Sequence, residues 1–164
     1  MINGIHHISL ATTDLDRLLG FYRDLLGLSA RHVSVLEENN EPFETIVGMK
    51  GAKGRAASLR AGNCQIEFFQ YTYPVPKDIA KAPACDAGIR HICFDVTDIR
   101  SEYERLKAAG IEFVSEPQHL PKAKATSVYA YDPDGNIVEM QEIHEGSPIE
   151  RVPLPPRTST PGAA

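Results

Sequence analysis

The sequence lacks the features of a nucleic-acid-binding or membrane protein. Its 17 basic and 22 acidic residues give a formal net charge of −5, and no long basic run occurs, so neither a phosphate backbone nor an anionic bilayer is the expected partner. The apolar runs are too short to span a bilayer, and the N-terminus lacks the charged-then-apolar layout of a secretion signal. The expected partner is therefore a small molecule, with no nucleic acid and no membrane.

Cysteine is also scarce. Cys64, Cys85 and Cys93 are odd in number and form no C-x-x-C pair, which favours reduced thiols over a disulfide framework. We therefore expect a cytoplasmic protein. An apolar fraction of 42% in 164 residues is ordinary for a globular chain and is enough for a packed core.

One stretch occurs twice. "GIHHISLATTDL" at 4–15 returns as "GIRHICFDVTDI" at 88–99, so that His7 in the first copy corresponds to His91 in the second. The interval between the copies is about half the chain. This duplication predicts two modules of the same design.

The residues after each copy extend the repeat. Apolar residues at helical spacing follow Asp14 and Asp98, which predicts a helix in each half, with Asp14 as the N-cap of the first and with Gly27 and Gly110 as the stops. Short alternating runs then predict strands: "ARHVSVLE", "RAASLRA" and "CQIEFFQY" in the first half, and "IEFV", "ATSVYAYD" and "NIVEMQE" in the second. Each half therefore reads β-α-β-β-β, and the predicted fold class is α+β.

This pattern divides the chain. We expect one domain over 1–143, followed by a proline-rich tail, 144–164, that is extended or disordered. The domain consists of module 1 (3–71), a proline-containing linker (72–87) and module 2 (88–143). The tract 38–54 has no counterpart in module 2, and we expect it to form a mobile rim or lid.

Strand alternation identifies candidate ligands. Successive side chains of a strand point to opposite faces, so His7 and His91 face away from the apolar residues that pack under the helices, whereas His6 is expected against the helix layer. Glu67 and Glu139 take the same polar face in the last strand of each module. A lone strand histidine is usually a hydrogen-bonded surface residue, and a glutamate in "QIEFF" could lie on a solvated face. The matched set instead indicates a divalent-metal site made of His7, Glu67, His91 and Glu139.

Several of these motifs together resemble a known family. "HHISLATTDLDRLLGFYRDLLGL", "IEFFQ", "RHICFDVTDI" and "DPDGNIVEMQE" are similar to sequences of the vicinal oxygen chelate superfamily, which includes glyoxalase I, methylmalonyl-CoA epimerase, extradiol dioxygenases and fosfomycin-resistance proteins. The resemblance implies two βαβββ modules forming a cup-like, partly closed mixed sheet around one metal, with ligands at the four positions above. It also implies a homodimer.

The ligand identities distinguish the members. Dioxygenases and fosfomycin-resistance enzymes resemble one another in using only the equivalents of His7, His91 and Glu139, so the carboxylate at Glu67 argues against both. Bleomycin-binding relatives lack the ligands altogether. Glyoxalase I of the bacterial type matches all four, and methylmalonyl-CoA epimerase usually has glutamine in place of Glu67. The resemblance is therefore strongest to these last two.

The resemblance to these two enzymes implies a metal-dependent isomerase or lyase. One divalent ion (Ni, Co, Zn, Mn or Fe) would chelate oxygens on neighbouring carbons of a small substrate and stabilise an enediolate or enolate. Glu67 or Glu139 would be the catalytic base that moves a proton next to a carbonyl. The open alternatives are a resistance or binding protein that sequesters its ligand, and an extradiol dioxygenase.

Overall fold

A computed structural model describes residues 1–77 and 81–153. Linker residues 78–80 and tail residues 154–164 lie outside this range, and with them the prediction of an extended or disordered tail for 154–164. No helix in the described part of the chain is both long and apolar enough to cross a membrane.

The secondary structure follows the duplicated pattern. Module 1 contains β1 (His7–Ala11), α1 (Leu15–Leu19) with a π-helical continuation (Gly20–Leu25), β2 (Ser29–Leu36), α2 (Glu41–Val47), β3 (Lys53–Ala61) and β4 (Cys64–Tyr73). Module 2 contains β5 (His91–Asp95), α3 (Ile99–Ala108), β6 (Gln118–Leu120), β7 (Ala125–Tyr131) and β8 (Ile137–Ile143). The added helix α2 lies within the tract that has no counterpart in module 2.

Each module forms its own four-stranded mixed sheet. The strand order is β1-β4-β3-β2 in the first sheet and β5-β8-β7-β6 in the second. The first and last strands of each module pair in parallel, and the other neighbours are antiparallel. The α+β class and the two βαβββ modules are thus confirmed, and the two sheets do not close into a barrel.

The predicted N-cap at Asp14 and the predicted stops at Gly27 and Gly110 are confirmed, and the structure adds Asp98 as the N-cap of α3. The Asp14 carboxylate accepts a backbone N–H of the first turn of α1 at 3.0 Å, and Asp98 does the same for α3 at 3.2 Å. Gly27 and Gly110 end the helical segments with φ of 75° and 87°, where a side chain would be strained. Local side-chain chemistry is therefore sufficient to set these boundaries.

One predicted strand is wrong. The run at 111–114 forms only a single bridge, Phe113 to Ala130, and the paired edge strand is β6 instead. Pro117 lies between the two and has no backbone N–H to donate. The edge is therefore interrupted at the proline, and regular pairing resumes beyond it.

The two modules are held together through a buried polar contact. Tyr22, whose side chain is fully buried, donates its hydroxyl hydrogen to Asp132 Oδ2 at 2.9 Å across the module boundary. Burial is the main cause that raises the pKa of both groups. Arg17 adds an ion pair to Asp134, 2.5 Å away. Since an unpaired buried polar group costs about 1–3 kcal/mol, this contact favours one relative arrangement of the modules.

Apolar packing crosses the same boundary. The first core cluster contains residues from α1 and its π-helical continuation, from the face of β3 and β4 beneath them, and one residue of β8. Its members are Leu15, Leu18, Leu19, Phe21, Tyr22, Ala57, Leu59, Ile66, Phe68 and Val138. Leu25 and Leu26 contact the second cluster, which is built on α3. Helices α1 and α3 therefore lie on the faces of the sheets opposite to the predicted ligands, as strand alternation requires.

Candidate metal centre

Module 1 brings His7 and Glu67 together. Parallel pairing places Ser9 beside Glu67, one alternation along β1 from His7. His7 Nε2 lies 3.4 Å from Glu67 Oε2, and the side chains are 43% and 32% exposed. The other ring nitrogen, Nδ1, lies 2.8 Å from Nδ1 of His6. His7 is thus oriented at one nitrogen and directs the other to the carboxylate.

Module 2 repeats this pair with His91 and Glu139. His91 Nε2 lies 3.2 Å from Glu139 Oε2, and the side chains are 39% and 13% exposed. Cross-strand pairing places Cys93 on one side of Glu139 and Tyr129 on the other. The Tyr129 ring also packs on His91, with ring centroids 5.4 Å apart. Glu139 is therefore more enclosed than its counterpart in module 1.

The surroundings of Glu139 change the pKa of two neighbouring groups, the Cys93 thiol and the Tyr129 hydroxyl. Cys93 is exposed as a residue, but local desolvation of its thiol raises the pKa to about 12, and the charge of Glu139 adds to the effect. Burial, followed by the charge of Glu139, also raises the pKa of the Tyr129 hydroxyl. Both groups stay protonated near neutral pH. They are therefore O–H and S–H donors beside the carboxylate.

The predicted strand faces are confirmed in both first strands. His7, Ser9 and Ala11 are exposed while the residues between them are partly buried, and β5 has the same pattern. The expectation for His6 is wrong. β1 begins after His6, so alternation does not apply to it, and its exposed ring contacts His7 and the Gln65 amide instead of the helix layer.

The two pairs do not form one group in a single chain. Among residues 1–77 and 81–153, no three or more histidine, cysteine, aspartate or glutamate side chains lie together in a group that could hold a metal ion. The topology gives the reason, because each pair belongs to a different sheet and no strand pairing joins the sheets. The structure therefore brings the four predicted ligands together as two pairs.

The chemistry of each pair fits a divalent ion. Imidazole nitrogen and carboxylate oxygen bind such ions at about 2.0–2.2 Å, which puts neighbouring donors roughly 3 Å apart. The nitrogen–oxygen separations of 3.4 Å and 3.2 Å are close to this value. An orienting partner on the second imidazole nitrogen, as His6 supplies for His7, is also typical of histidine ligands.

Tyr129 is a site residue that sequence reasoning missed. It belongs to the run "ATSVYAYD", where alternation indicates which residues share a face but not which strand lies beside them. The antiparallel register that places it beside Glu139 depends on the turn between β7 and β8. The only available signal was that Tyr129 alternates with Ser127 and Tyr131 and therefore shares one strand face with them.

Comparison with known proteins agrees with the duplicated fold. Residues 4–140 match the family described as the Glyoxalase/Bleomycin resistance protein/Dioxygenase superfamily. The chain is 26% identical over 149 residues to an ethylmalonyl-CoA/methylmalonyl-CoA epimerase of Cereibacter sphaeroides, with coverage of 87% of this chain and 100% of that protein. It is 28% identical over 138 residues to a lactoylglutathione lyase of Haemophilus influenzae, covering 84% and 91% of the two chains.

Solved structures share the fold. A glyoxalase family protein from Bacillus cereus superposes with a TM-score of 0.75 at 22% identity, covering 87% of this chain and 95% of that one. The fosfomycin resistance protein FosX from Listeria monocytogenes, solved with Mn(II) and a sulfate ion, superposes with a TM-score of 0.59 at 19% identity, covering 90% and 98%.

Proposed function

The chain belongs to the Glyoxalase/Bleomycin resistance protein/Dioxygenase superfamily, and from this premise we propose that it is a metal-dependent isomerase or lyase of the glyoxalase–epimerase type. Relatives that catalyse such reactions cover most of the chain. The observation that carries the proposal is the presence of two matched histidine–glutamate pairs, one in each module. The proposed substrate is a small molecule with oxygens on neighbouring carbons.

The proposed ligands are His7, Glu67, His91 and Glu139. Two neutral imidazoles and two carboxylates balance the charge of one divalent ion, and these mixed nitrogen and oxygen donors suit Ni, Co, Zn, Mn or Fe. When bound, the ion supplies Lewis acidity toward the substrate's oxygens. The exposed side of each pair would leave room for the substrate.

A homodimer would complete the site. Each pair offers two donors, and the strands that carry its histidine, β1 and β5, lie at the ends of their sheets. End strands have unpaired backbone groups that favour association with another chain. We infer that the His7–Glu67 pair of one protomer meets the His91–Glu139 pair of its partner, so that two copies make two equivalent sites.

The carboxylates would move the proton. Glu67 or Glu139 takes a proton from the carbon next to the substrate carbonyl; in an isomerisation the same carboxyl group returns it, and in an epimerisation the other carboxyl group, in its protonated form, donates a proton to the opposite face. Return to the same carbon from the other side gives an epimer, and return to the neighbouring carbon gives an isomer of the glyoxalase type. The Tyr129 hydroxyl and the Cys93 thiol stay protonated beside Glu139 and are suited to orient that carboxylate.

The unpaired thiols support a place for this enzyme in the cytoplasm. Cys64, Cys85 and Cys93 are all free. A reducing compartment would keep them so.

Deuterium incorporation tests the reaction class. We expect the metal-loaded protein in D2O to place solvent deuterium next to the carbonyl of a turned-over substrate, chosen from 2-oxoaldehyde hemithioacetals and acyl-CoA thioesters and followed by NMR. Turnover that consumes dioxygen, or binding with no exchange in any of these compounds, would contradict the proposal. The first outcome would indicate a dioxygenase, and the second a sequestering protein.

A further inference from the structure

Three aromatic rings form a stack beside the module 1 pair. Phe69 and Tyr71 follow Glu67 on the same face of β4, with ring centroids 5.8 Å apart and planes inclined by 14°. Phe43 of α2 stacks on Phe69 at 6.1 Å and 26°. Since alternate strand residues stand about 7 Å apart, the stack begins one side chain away from a proposed ligand.

The neighbouring strand leaves space next to this stack. The residues of β3 that pair with Tyr71, Phe69 and Glu67 are Gly54, Ala56 and Ser58. All three are small, so no large side chain of β3 covers the rings from that side. The rings themselves are only partly buried, although burial is sufficient to raise the pKa of Tyr71.

Module 2 shows that the fold does not require the stack. Gln141 occupies the position that corresponds to Phe69, and its amide donates to Ser127 Oγ at 3.0 Å. Ile143 corresponds to Tyr71. The same strand pairing thus carries a polar contact in one module and three rings in the other. Both sheets have the same strand order, so the strand pairing alone does not produce the three-ring stack.

From these contacts we propose that the Phe43–Phe69–Tyr71 stack binds a planar apolar group of the substrate, an aryl or conjugated substituent attached close to the reacting carbonyl. This inference rests on the proposed function, since it places the carbonyl at Glu67. Alternate strand residues stand about 7 Å apart, so a carbonyl held at Glu67 would have its substituent beside Phe69. Edge or face contact between rings adds stabilisation beyond the burial of apolar area.

A competing explanation is that the stack only anchors α2 on the sheet. Phe43 belongs to the tract predicted to be a lid, and its contact with Phe69 would hold that tract down. Anchoring requires apolar bulk, whereas recognition of a planar group also requires a ring at position 69. The two roles therefore respond differently to Phe69→Leu and Phe69→Tyr.

Chelating probes with different substituents test the proposal. We expect calorimetry on the metal-loaded protein to give affinities for benzohydroxamate about three- to tenfold above those for acetohydroxamate and cyclohexanecarbohydroxamate, the range that one aromatic contact provides. Phe69→Leu should remove this preference and Phe69→Tyr should keep it. Gln141→Leu, the matched change in module 2, should leave the preference as it is in the unmodified protein. Equal affinity for the three probes, or a preference that survives Phe69→Leu, would overturn the proposal.

A second measurement separates this inference from the metal site. Saturation-transfer NMR with benzamide on the metal-free protein should detect contact with the stack, because ring packing needs no ion, and Phe69→Leu should reduce that signal. Failure of the metal site alone would abolish hydroxamate binding and leave the benzamide signal. A benzamide signal that is absent, or equal in both proteins, would overturn the stack as a binding surface.

Discussion

The two histidine–glutamate pairs share a template and differ in their surroundings. In module 2, Glu139 is 13% exposed and lies between Cys93 and Tyr129. In module 1, Glu67 is 32% exposed and pairs with two serines, Ser9 and Ser58. Glu139 is therefore the more enclosed carboxylate and Glu67 the more solvent-accessible one, although each faces a histidine of its own module.

The histidines differ as well. His7 is oriented by a hydrogen-bonded neighbour, His6, which in turn contacts Gln65. His91 is oriented by packing against the Tyr129 ring. The histidine of module 1 is therefore oriented by a polar contact, and the histidine of module 2 is oriented by ring packing.

The largest expected effect concerns metal retention. His91→Ala removes a proposed ligand from the more enclosed pair, and we expect the purified protein to lose stoichiometric metal, one ion per chain, in elemental analysis. His32→Ala, which changes an exposed residue of β2, is the control and should keep the metal. Equal metal content in the two variants would remove His91 from the site.

Glu67→Gln and Glu139→Gln test which of the two carboxylates is the catalytic base. Each change keeps an oxygen donor and removes the base, so the variant that lacks the true base should lose roughly 10²–10⁴-fold in turnover. Metal content should fall less, since the amide oxygen can still coordinate. Steady-state rates with metal content measured in parallel separate the two effects, and full activity in both variants would refute proton transfer by either residue.

Tyr22→Phe addresses the contact between the modules. It removes the hydroxyl that donates to Asp132 at 2.9 Å and leaves that carboxylate with one hydrogen-bond partner fewer. We therefore expect the free energy of unfolding, measured by urea titration, to fall by about 1–3 kcal/mol. Tyr73→Phe, at an exposed position, should change stability little. An unchanged midpoint in the Tyr22 variant would show that the buried contact contributes nothing.

The smallest effect is at a helix cap. Hydrogen bonds from Ser101 lower the pKa of Asp98 below 3.8, so the ionised cap is favoured in the folded state. Its stabilisation is complete above the unfolded pKa and is lost as the pH falls through the lower folded value. The Tm of Asp98→Ala should therefore lie below that of the unmodified protein at pH 7, and the gap should close below about pH 4. A gap that stays constant down to pH 2 would contradict this role.

Local signals were sufficient for much of the fold. Asp14 and Gly27 mark one helix, Asp98 and Gly110 mark the other, and alternation places both proposed ligand histidines on the exposed faces of their strands, because caps and strand faces depend on a few neighbouring residues. The strand at 111–114 was predicted incorrectly, since a proline three residues beyond it moves the paired edge to β6.

Contacts between residues far apart in the chain were harder to predict from the sequence. Glu139 could be chosen from its strand, but the approach of Tyr129 depends on cross-strand register. Whether His7 and His91 meet depends on which sheet edges associate, and the residues of a single strand carry little information on that choice. The stack of Phe43 on Phe69 likewise requires α2 to fold back over its own sheet.

Complementation between inactive variants tests the shared site most directly. A heterodimer of a His7→Ala protomer and a His91→Ala protomer can be isolated with two different affinity tags. At one of its two shared sites, an intact His7–Glu67 pair meets an intact His91–Glu139 pair. At the other site both pairs lack their histidine. The account predicts about one metal ion per heterodimer and none in either variant homodimer. A heterodimer without metal, beside an unmodified dimer that binds two ions, would contradict a site shared between protomers.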